Sequence, residues 1–207
     1  MESVRNELLK TLLARRCVKL GEFYLKSGQP TRIYIDLRGL ISSPKDLALA
    51  AEAICHQIKE SGLEFDYVVG VPYAAIPLAT LVCDRLDKPM LMRRKQAKSY
   101  GTKKLIEGEY EEGKTCLVVE DVVTSGESIE ETVKALNDEG LKCIDVISVL
   151  DRMQGGVQNL LNHGIRLTPV LTLEQLLDHM ISKELLQVSD KEQIFAELAK
   201  PFTKKVE

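Results

Sequence analysis

"CLVVEDVVTSGES", residues 116–128, runs an apolar strand straight into two adjacent acids and then a turn of small residues. Four apolar residues open it, and "KTCLVVE" (114–120) reads as a buried strand. Beyond the turn, "ESIEETVKALNDEG" puts Ile129, Val133 and Leu136 on one helical face, with acids in its first turn and Gly140 as its stop. The unit is therefore strand, turn, helix, with the helix beginning near Glu127. Gly126 permits a tight turn, and successive backbone N–H groups ahead of a helix N-terminus form an anion cradle. Thr124, Ser125 and Ser128 add hydroxyl donors, and a single phosphate fits. Carboxylates repel phosphate, so Glu120 and Asp121 need another task. They are suited to accepting hydrogen bonds from sugar hydroxyls and to offsetting positive charge that develops on a sugar ring. The plainer alternative makes Thr124 or Ser125 an ordinary helix cap and leaves the acids exposed at a strand end.

The same alternation of strand and helix extends to both sides. "FDYVVGV" (65–71), "KPMLM" (88–92), "CIDVISVL" (143–150) and "IRLTPVLTL" (165–173) read as strands. "AAIPLATLVCDRL" has helical spacing at Ile76, Leu78, Val82 and Leu86, and "GVQNLLNHG" is a short helix. Strands rich in Val, Ile and Leu without alternation imply burial on both faces. The expected class is α/β, a mostly parallel central sheet flanked by helices. Ahead of it, "VKLGEFYLKSGQPTRIYIDLRGL" holds two strand-like runs broken at Ser27-Gly28, a small N-terminal hood over about 17–40. "SPKDLALAAEAICHQIKESG" (43–62) is a helix that Ser43 can cap, with Pro44 in its first turn. Two amphipathic helices occupy about 173–200.

A chain of 207 residues suits one domain with a small lid. Its net charge of -3 argues against a protein-wide nucleic-acid surface. No apolar run approaches the ~20 residues that span a bilayer, and "MESVRNELLK" lacks the apolar core of a signal peptide. Cysteines at 17, 55, 83, 116 and 143 are widely spaced without a C-x-x-C pair, as expected of buried free thiols in a reducing, cytoplasmic setting. His56, His163 and His179 show no metal-ligand spacing.

Further stretches carry charge or turns. "RRKQAKSYGTKK" (93–104) has six cations and no acid between two strands, the pattern of a lid or binding loop over about 93–110. A pyrophosphate would suit such a cluster. "GEYEEGKT" (108–115) satisfies the Walker A spacing, but a strand follows it where a helix is required, and Glu109, Glu111 and Glu112 would repel polyphosphate. It reads as a turn entering the next strand. "LKSG" (25–28) offers Lys26 from the hood, "LDRMQGG" (150–156) offers Arg152 past a strand end, and "GVPYAAIP" (70–77) places Tyr73 beside the same rim.

Together, "LVVEDVVTSGES" resembles the 5-phosphoribosyl 1-pyrophosphate (PRPP) signature of type I phosphoribosyltransferases. Within that family, "GEFYLKSGQPTRIYIDLRG", "GVPYAAIPLAT", "RRKQAKSYGTKKLIEG" and "LDRMQGG" resemble the orotate phosphoribosyltransferases, nearest the N-terminal half of animal-type bifunctional uridine monophosphate synthases. The resemblance implies a transfer from PRPP to orotate, giving orotidylate and pyrophosphate, with Mg²⁺ bound along with PRPP. It implies that Glu120 and Asp121 bind the ribose hydroxyls, and that Val122 and Val123 lead into Thr124, Ser125, Gly126, Glu127 and Ser128 around the 5′-phosphate. It places Arg94, Lys95, Lys98 and Tyr100 on a loop that closes over pyrophosphate, with Arg94, Lys98 and Asp121 as the catalytic side chains. Tyr100 stands where bacterial relatives often carry His. Tyr73 and Ala74 line the pyrophosphate side, Ala74 replacing a bacterial lysine, which shifts anion binding onto the lid. Lys26, Arg152, Thr124 and the Tyr34–Ile35 backbone would meet orotate.

The resemblance also implies a homodimer with shared active sites. It implies that the chain corresponds to a domain which in bifunctional relatives precedes an orotidylate decarboxylase; nothing after Phe202 supplies that domain's Lys/Asp array. Two rivals share the acids and the turn. A phosphoribosyltransferase for a purine base would have no use for Lys26 and Arg152, and a PRPP-binding regulator would not need an intact RRK-x-x-K lid.

Overall fold

The computed structural model describes residues 2–24, 30–96 and 105–199. Lys26, Lys98 and Tyr100, three of the site residues expected from the sequence, lie outside these described residues, as does the end of the chain from 200 on.

The central sheet has six strands. They are β3 (Tyr67–Gly70), β4 (Met90–Arg93), β5 (Ile106–Glu107), β6 (Thr115–Val123), β7 (Lys142–Asp151) and β8 (Arg166–Thr172), in the spatial order β5-β4-β3-β6-β7-β8. Every pairing is parallel except the edge pair β4–β5. Between the strands run α3 (Ile76–Leu86), α4 (Glu127–Asp138) and α5 (Gly156–Asn162). Alternate residues of the strands enter two separate cores. Val68, Leu117 and Val119 join the core that receives α3, whereas Val69 and Val118 join the core that receives α4 and α5.

That division sets the position of the site. From β3 the chain steps outward to β4; from β6 it steps the other way, to β7 and β8. Parallel crossovers are right-handed, so reversing the direction of travel moves the connecting helix to the opposite face of the sheet. The reversal falls between β3 and β6. Their connections leave in opposite directions and open a crevice beyond their carboxyl ends.

The hood is an antiparallel pair, β1 (Val18–Tyr24) with β2 (Pro30–Ile35), whose alternation buries Thr31, Ile33 and Ile35. It is tied to the C-terminal helix α7 (Val188–Leu198), where Arg32 donates its backbone N–H and its Nε to the Glu197 carboxylate, each at 3.0 Å. The other tail helix, α6 (Leu173–Ser182), begins with a complete capping box between Thr172 and Gln175.

Several details depart from the sequence expectations. β6 runs on to Val123, because Val122 and Val123 pair with Leu150 and Asp151 of β7; Glu120 and Asp121 therefore sit within a strand and not at its end. Ser43 precedes helix α2 (Pro44–Ser61) without capping it by its side chain, since its hydroxyl accepts Arg15 Nη2 at 3.0 Å. The short β5 and the first helix, α1 (Glu2–Ala14), have no counterpart among the expected elements. Helix α1 buries Leu8, Leu9 and Leu12 in the same core as the hood and α2. All five cysteines are free and buried, and burial pushes the Cys116 thiol up to about 12.

Because Leu12 is fully enclosed, Leu12→Ala is expected to cost about 2–5 kcal/mol. Urea unfolding followed by circular dichroism measures this, and a loss under about 1 kcal/mol would show that α1 is a dispensable appendage.

Candidate active site

On the β3 side the crevice is bounded by residues 71–75. Val71 N–H donates to the Val119 carbonyl at 2.9 Å, and the Pro72–Tyr73 peptide is cis. The chain then folds back so tightly that a Cβ on Gly70 would meet the Ala75 carbonyl oxygen and Ile76 Cα, both at 2.9 Å. Ala74 is half-buried, and Tyr73 projects from the rim, 65% exposed.

On the β6 side stand the acids. Glu120 is only 7% exposed and lies beside Ser148 of β7, whereas Asp121 is half-buried. The Asp121 N–H donates to Glu120 Oε1 at 2.9 Å. Burial, and then the neighbouring Asp121 carboxylate, hold the Glu120 carboxyl well above the ordinary carboxylate range. Neither acid is paired with a cation among the described ion pairs. An acid pair left in that state at the mouth of a crevice suits a ligand that brings hydroxyl donors.

Just beyond lies the turn. Gly126 is the N-cap of α4 at φ 91°, and no side chain caps the helix, so neither Thr124 nor Ser125 plays the ordinary capping role. The Ile129 N–H donates to the Gly126 carbonyl at 2.9 Å, and the N–H groups of Glu127 and Ser128 are left for a ligand. Gly126 is required twice over: its φ is left-handed, and a Cβ there would meet Leu160 Cγ at 2.9 Å. Glu127 and Ser128 are exposed at the start of the helix. Val122 and Val123 contribute packing, one to each core, together with a carbonyl described next.

Arg152 directly follows β7, and its backbone N–H donates to the Val123 carbonyl at 2.9 Å. The side chain is buried, 6% exposed, and its Nε and Nη2 find no acceptor among the described residues. Burial draws the guanidinium below its ordinary value, partly offset by the Tyr34 phenol within electrostatic range. A buried guanidinium with two idle donors is costly unless an anion or carbonyl completes it. Tyr34 is half-buried and stacks on Phe23, ring centroids 5.5 Å apart, and Ile35 is buried beside it. The structure thus brings Tyr34 and Arg152 together from the hood and from β7.

The described cations of the basic run, Arg93, Arg94 and Lys95, find different partners. Lys95 Nζ sits 4.7 Å from the centre of the Tyr73 ring, and Arg94 pairs with Glu107 of β5. Both line a cavity of about 460 Å³ with Tyr73, Ile76 and Met92, next to the crevice. Arg93 lines the same cavity, but its guanidinium is engaged with α4, donating from Nη1 to Thr132 Oγ1 at 3.2 Å and from Nη2 to Glu131 at 3.0 Å. A larger cavity, about 620 Å³, lies around Thr115, Lys142 and Arg166 at the opposite, amino ends of the strands. It contains none of the expected site residues, and the carboxyl-end crevice carries the chemistry.

Residues 41–160 match the phosphoribosyl transferase domain family. The switch-point crevice, the acid pair and the uncapped turn define this class. The chain is 56% identical to an orotate phosphoribosyltransferase of Caenorhabditis elegans over 95% of its own length and 86% of the relative's. It is 48% identical to the uridine 5′-monophosphate synthase of Bos taurus over 85% of its length, but spans only 37% of that longer protein. Among solved structures, the Leishmania donovani UMP synthase superposes with a TM-score of 0.83 at 32% identity, covering 93% of this chain and 42% of that one. The chain belongs to the orotate phosphoribosyltransferases.

Glu120→Gln separates the acid's cost to the fold from its use. Below the ordinary value of 4.5 the carboxyl is protonated in both folded and unfolded chains; as pH rises through it the unfolded chain ionises first, and the fold is penalised. The substitution is expected to raise the melting temperature of the ligand-free protein at about pH 8 and to leave it unchanged at about pH 4. An equal shift at both pH values, or a loss at the higher one, would contradict a Glu120 carboxyl held above its ordinary range by burial.

Proposed function

We propose that the chain transfers the 5-phosphoribosyl group from PRPP to orotate, releasing orotidine 5′-monophosphate and pyrophosphate. One juxtaposition carries the reading: the acid pair, the uncapped phosphate turn and the idle donors of Arg152 lie on consecutive ends of two paired strands. A ligand with a phosphate and a diol accounts for the first two. A base with a carboxylate and ring carbonyls accounts for the third, which a purine would not.

In this reading the N–H groups and hydroxyls from Thr124 to Ser128 hold the 5′-phosphate, and Glu120 and Asp121 accept hydrogen bonds from the ribose 2′- and 3′-hydroxyls. The C1–pyrophosphate bond breaks as orotate N1 closes on C1, so the sugar ring passes through a state with oxocarbenium character. The two carboxylates stabilise that charge, and no protein nucleophile is needed. Arg152 and Lys26 orient orotate from one side, with the Tyr34–Ile35 backbone and Thr124 closing the other. Arg94, Lys95 and Lys98 neutralise the departing pyrophosphate beside Tyr73 and Ala74, and with Tyr100 keep water from the activated sugar.

The oxygen donors of Asp121 fit a hard cation such as Mg²⁺, yet among the described residues no group of three His, Cys, Asp or Glu could enclose one. The fitting arrangement is Mg²⁺ carried mainly on PRPP oxygens and touched by Asp121, where it would supply charge neutralisation to the leaving group. A homodimer with shared sites, a cytoplasmic location and a link to orotidylate decarboxylation belong to the same proposal. The UMP synthase relatives support the last of these, and no described helix is long and apolar enough to cross a membrane.

The assay follows orotate absorbance with PRPP and Mg²⁺, beside hypoxanthine and adenine. Consumption of orotate alone is expected, and consumption of a purine instead would overturn the substrate. Asp121→Asn is expected to raise the KM for PRPP by about tenfold or more, the loss of a charged hydrogen bond, with the circular dichroism spectrum unchanged. Unfolding of that variant would show a structural acid.

A further inference from the structure

The phosphate turn has a back as well as a front, and residues 152–159 build the back. The Arg152 N–H takes the Val123 carbonyl at 2.9 Å. Gly156 lies against the next carbonyl, so closely that an added Cβ would be 2.5 Å from Thr124 O. Asn159 Nδ2 donates to the third, Ser125 O, at 3.2 Å. Three successive carbonyls thus face one segment of chain. In a trans peptide the N–H points away from its own carbonyl, and these peptides are trans. The N–H groups of Thr124, Ser125 and Gly126 are therefore turned together to the other side of the turn. Among the described residues none of the three has a backbone acceptor. Convergent, unengaged N–H groups of this kind make an anion nest.

Of the three braces, one is a backbone amide and one depends on the absence of a side chain. Asn159 alone acts through a side-chain group. We propose that Asn159 is a positioning residue for the phosphate subsite: by holding the Ser125 carbonyl from behind, it aims the Gly126 N–H at the ligand's phosphate. The proposal rests on the site reading given above and adds the residue that orients its turn. Asn159 is exposed on α5, and the His163 ring contact at 2.9 Å is to its backbone carbonyl, so replacing the side chain leaves the helix and that contact in place. Leu160, the next residue, closes against Gly126, which keeps α5 in register with the turn.

The test compares wild type with Asn159→Ala in two measurements: calorimetric titration with ribose 5-phosphate, which engages the turn without orotate, and steady-state kinetics. Loss of one hydrogen bond should weaken ribose 5-phosphate binding and raise the KM for PRPP by the same factor, at least threefold and about fivefold. Both kcat and the KM for orotate should stay within twofold, a split that general loosening of the fold would not produce. Should wild type bind ribose 5-phosphate and the variant match it within threefold, the role of Asn159 is refuted while the phosphate site stands. Proportional loss of kcat and orotate affinity also refutes it. If wild type fails to bind ribose 5-phosphate at all, the underlying phosphate reading falls, and this proposal with it.

Discussion

The parallel pairing of β6 with β7 is the constraint on which the site depends. From Glu120 opposite Ser148 to Val123 opposite Asp151, the two strands keep one register, and the Arg152 N–H extends the ladder by one more bond. A slip of one residue would send the acids to the other face and part Arg152 from the turn. Sugar, phosphate and base contacts are thereby reduced to one geometric relation between neighbouring strand ends. That economy suits a reaction whose catalysis is mostly alignment and charge stabilisation.

The same relation is electrostatically expensive. Glu120 is buried beside a second acid, and Arg152 is buried with donors unmatched, yet the two groups are not paired with each other among the described contacts. An ion pair between them would be the cheaper arrangement for the empty fold. Keeping them apart leaves each free for a ligand group of complementary kind: hydroxyls for the acid, carboxylate or carbonyl for the arginine. The surrounding core of Val118, Val119, Ile147 and Leu150 supplies the rigidity that holds this unfavourable state in place.

The basic run shows how position overrides composition. Arg93 and Arg94 are adjacent and chemically identical, but Arg93 is the last residue of β4 and Arg94 lies just beyond it, and their guanidinium groups find different partners. One is thus clamped to α4 through Thr132, whose hydroxyl in turn donates to the Ser128 carbonyl at 2.7 Å. The other pairs with Glu107 of β5 beside Tyr73 and Lys95, and both arginines line the one cavity. The first cation braces the helix that begins at the phosphate turn; the second is held on the cavity side by Glu107.

Much of this was legible in the residues alone. The period of the apolar positions determined the helices and the doubly buried strands, and Gly126 between Val123 and Ile129 determined the strand–turn–helix unit, because these depend on contacts a few residues apart. The Walker-like stretch was rejected on the same local ground, and a strand does follow it. The end of β6 is not legible in the residues because only pairing with β7 carries the strand past the acids to Val123. Helix α1 is not legible either, because its three buried leucines matter only once the hood and α2 stand opposite them. Asn159 carries no signal in a single sequence, and the part Gly156 plays behind the turn carries none either, since their partners lie over thirty residues away. The sequence by itself determined the elements, the acids and the turn. Only the tertiary structure decided which donors were spent on the fold and which stayed idle for a ligand, because a hydrogen bond's partner is set by proximity in space and not by order along the chain.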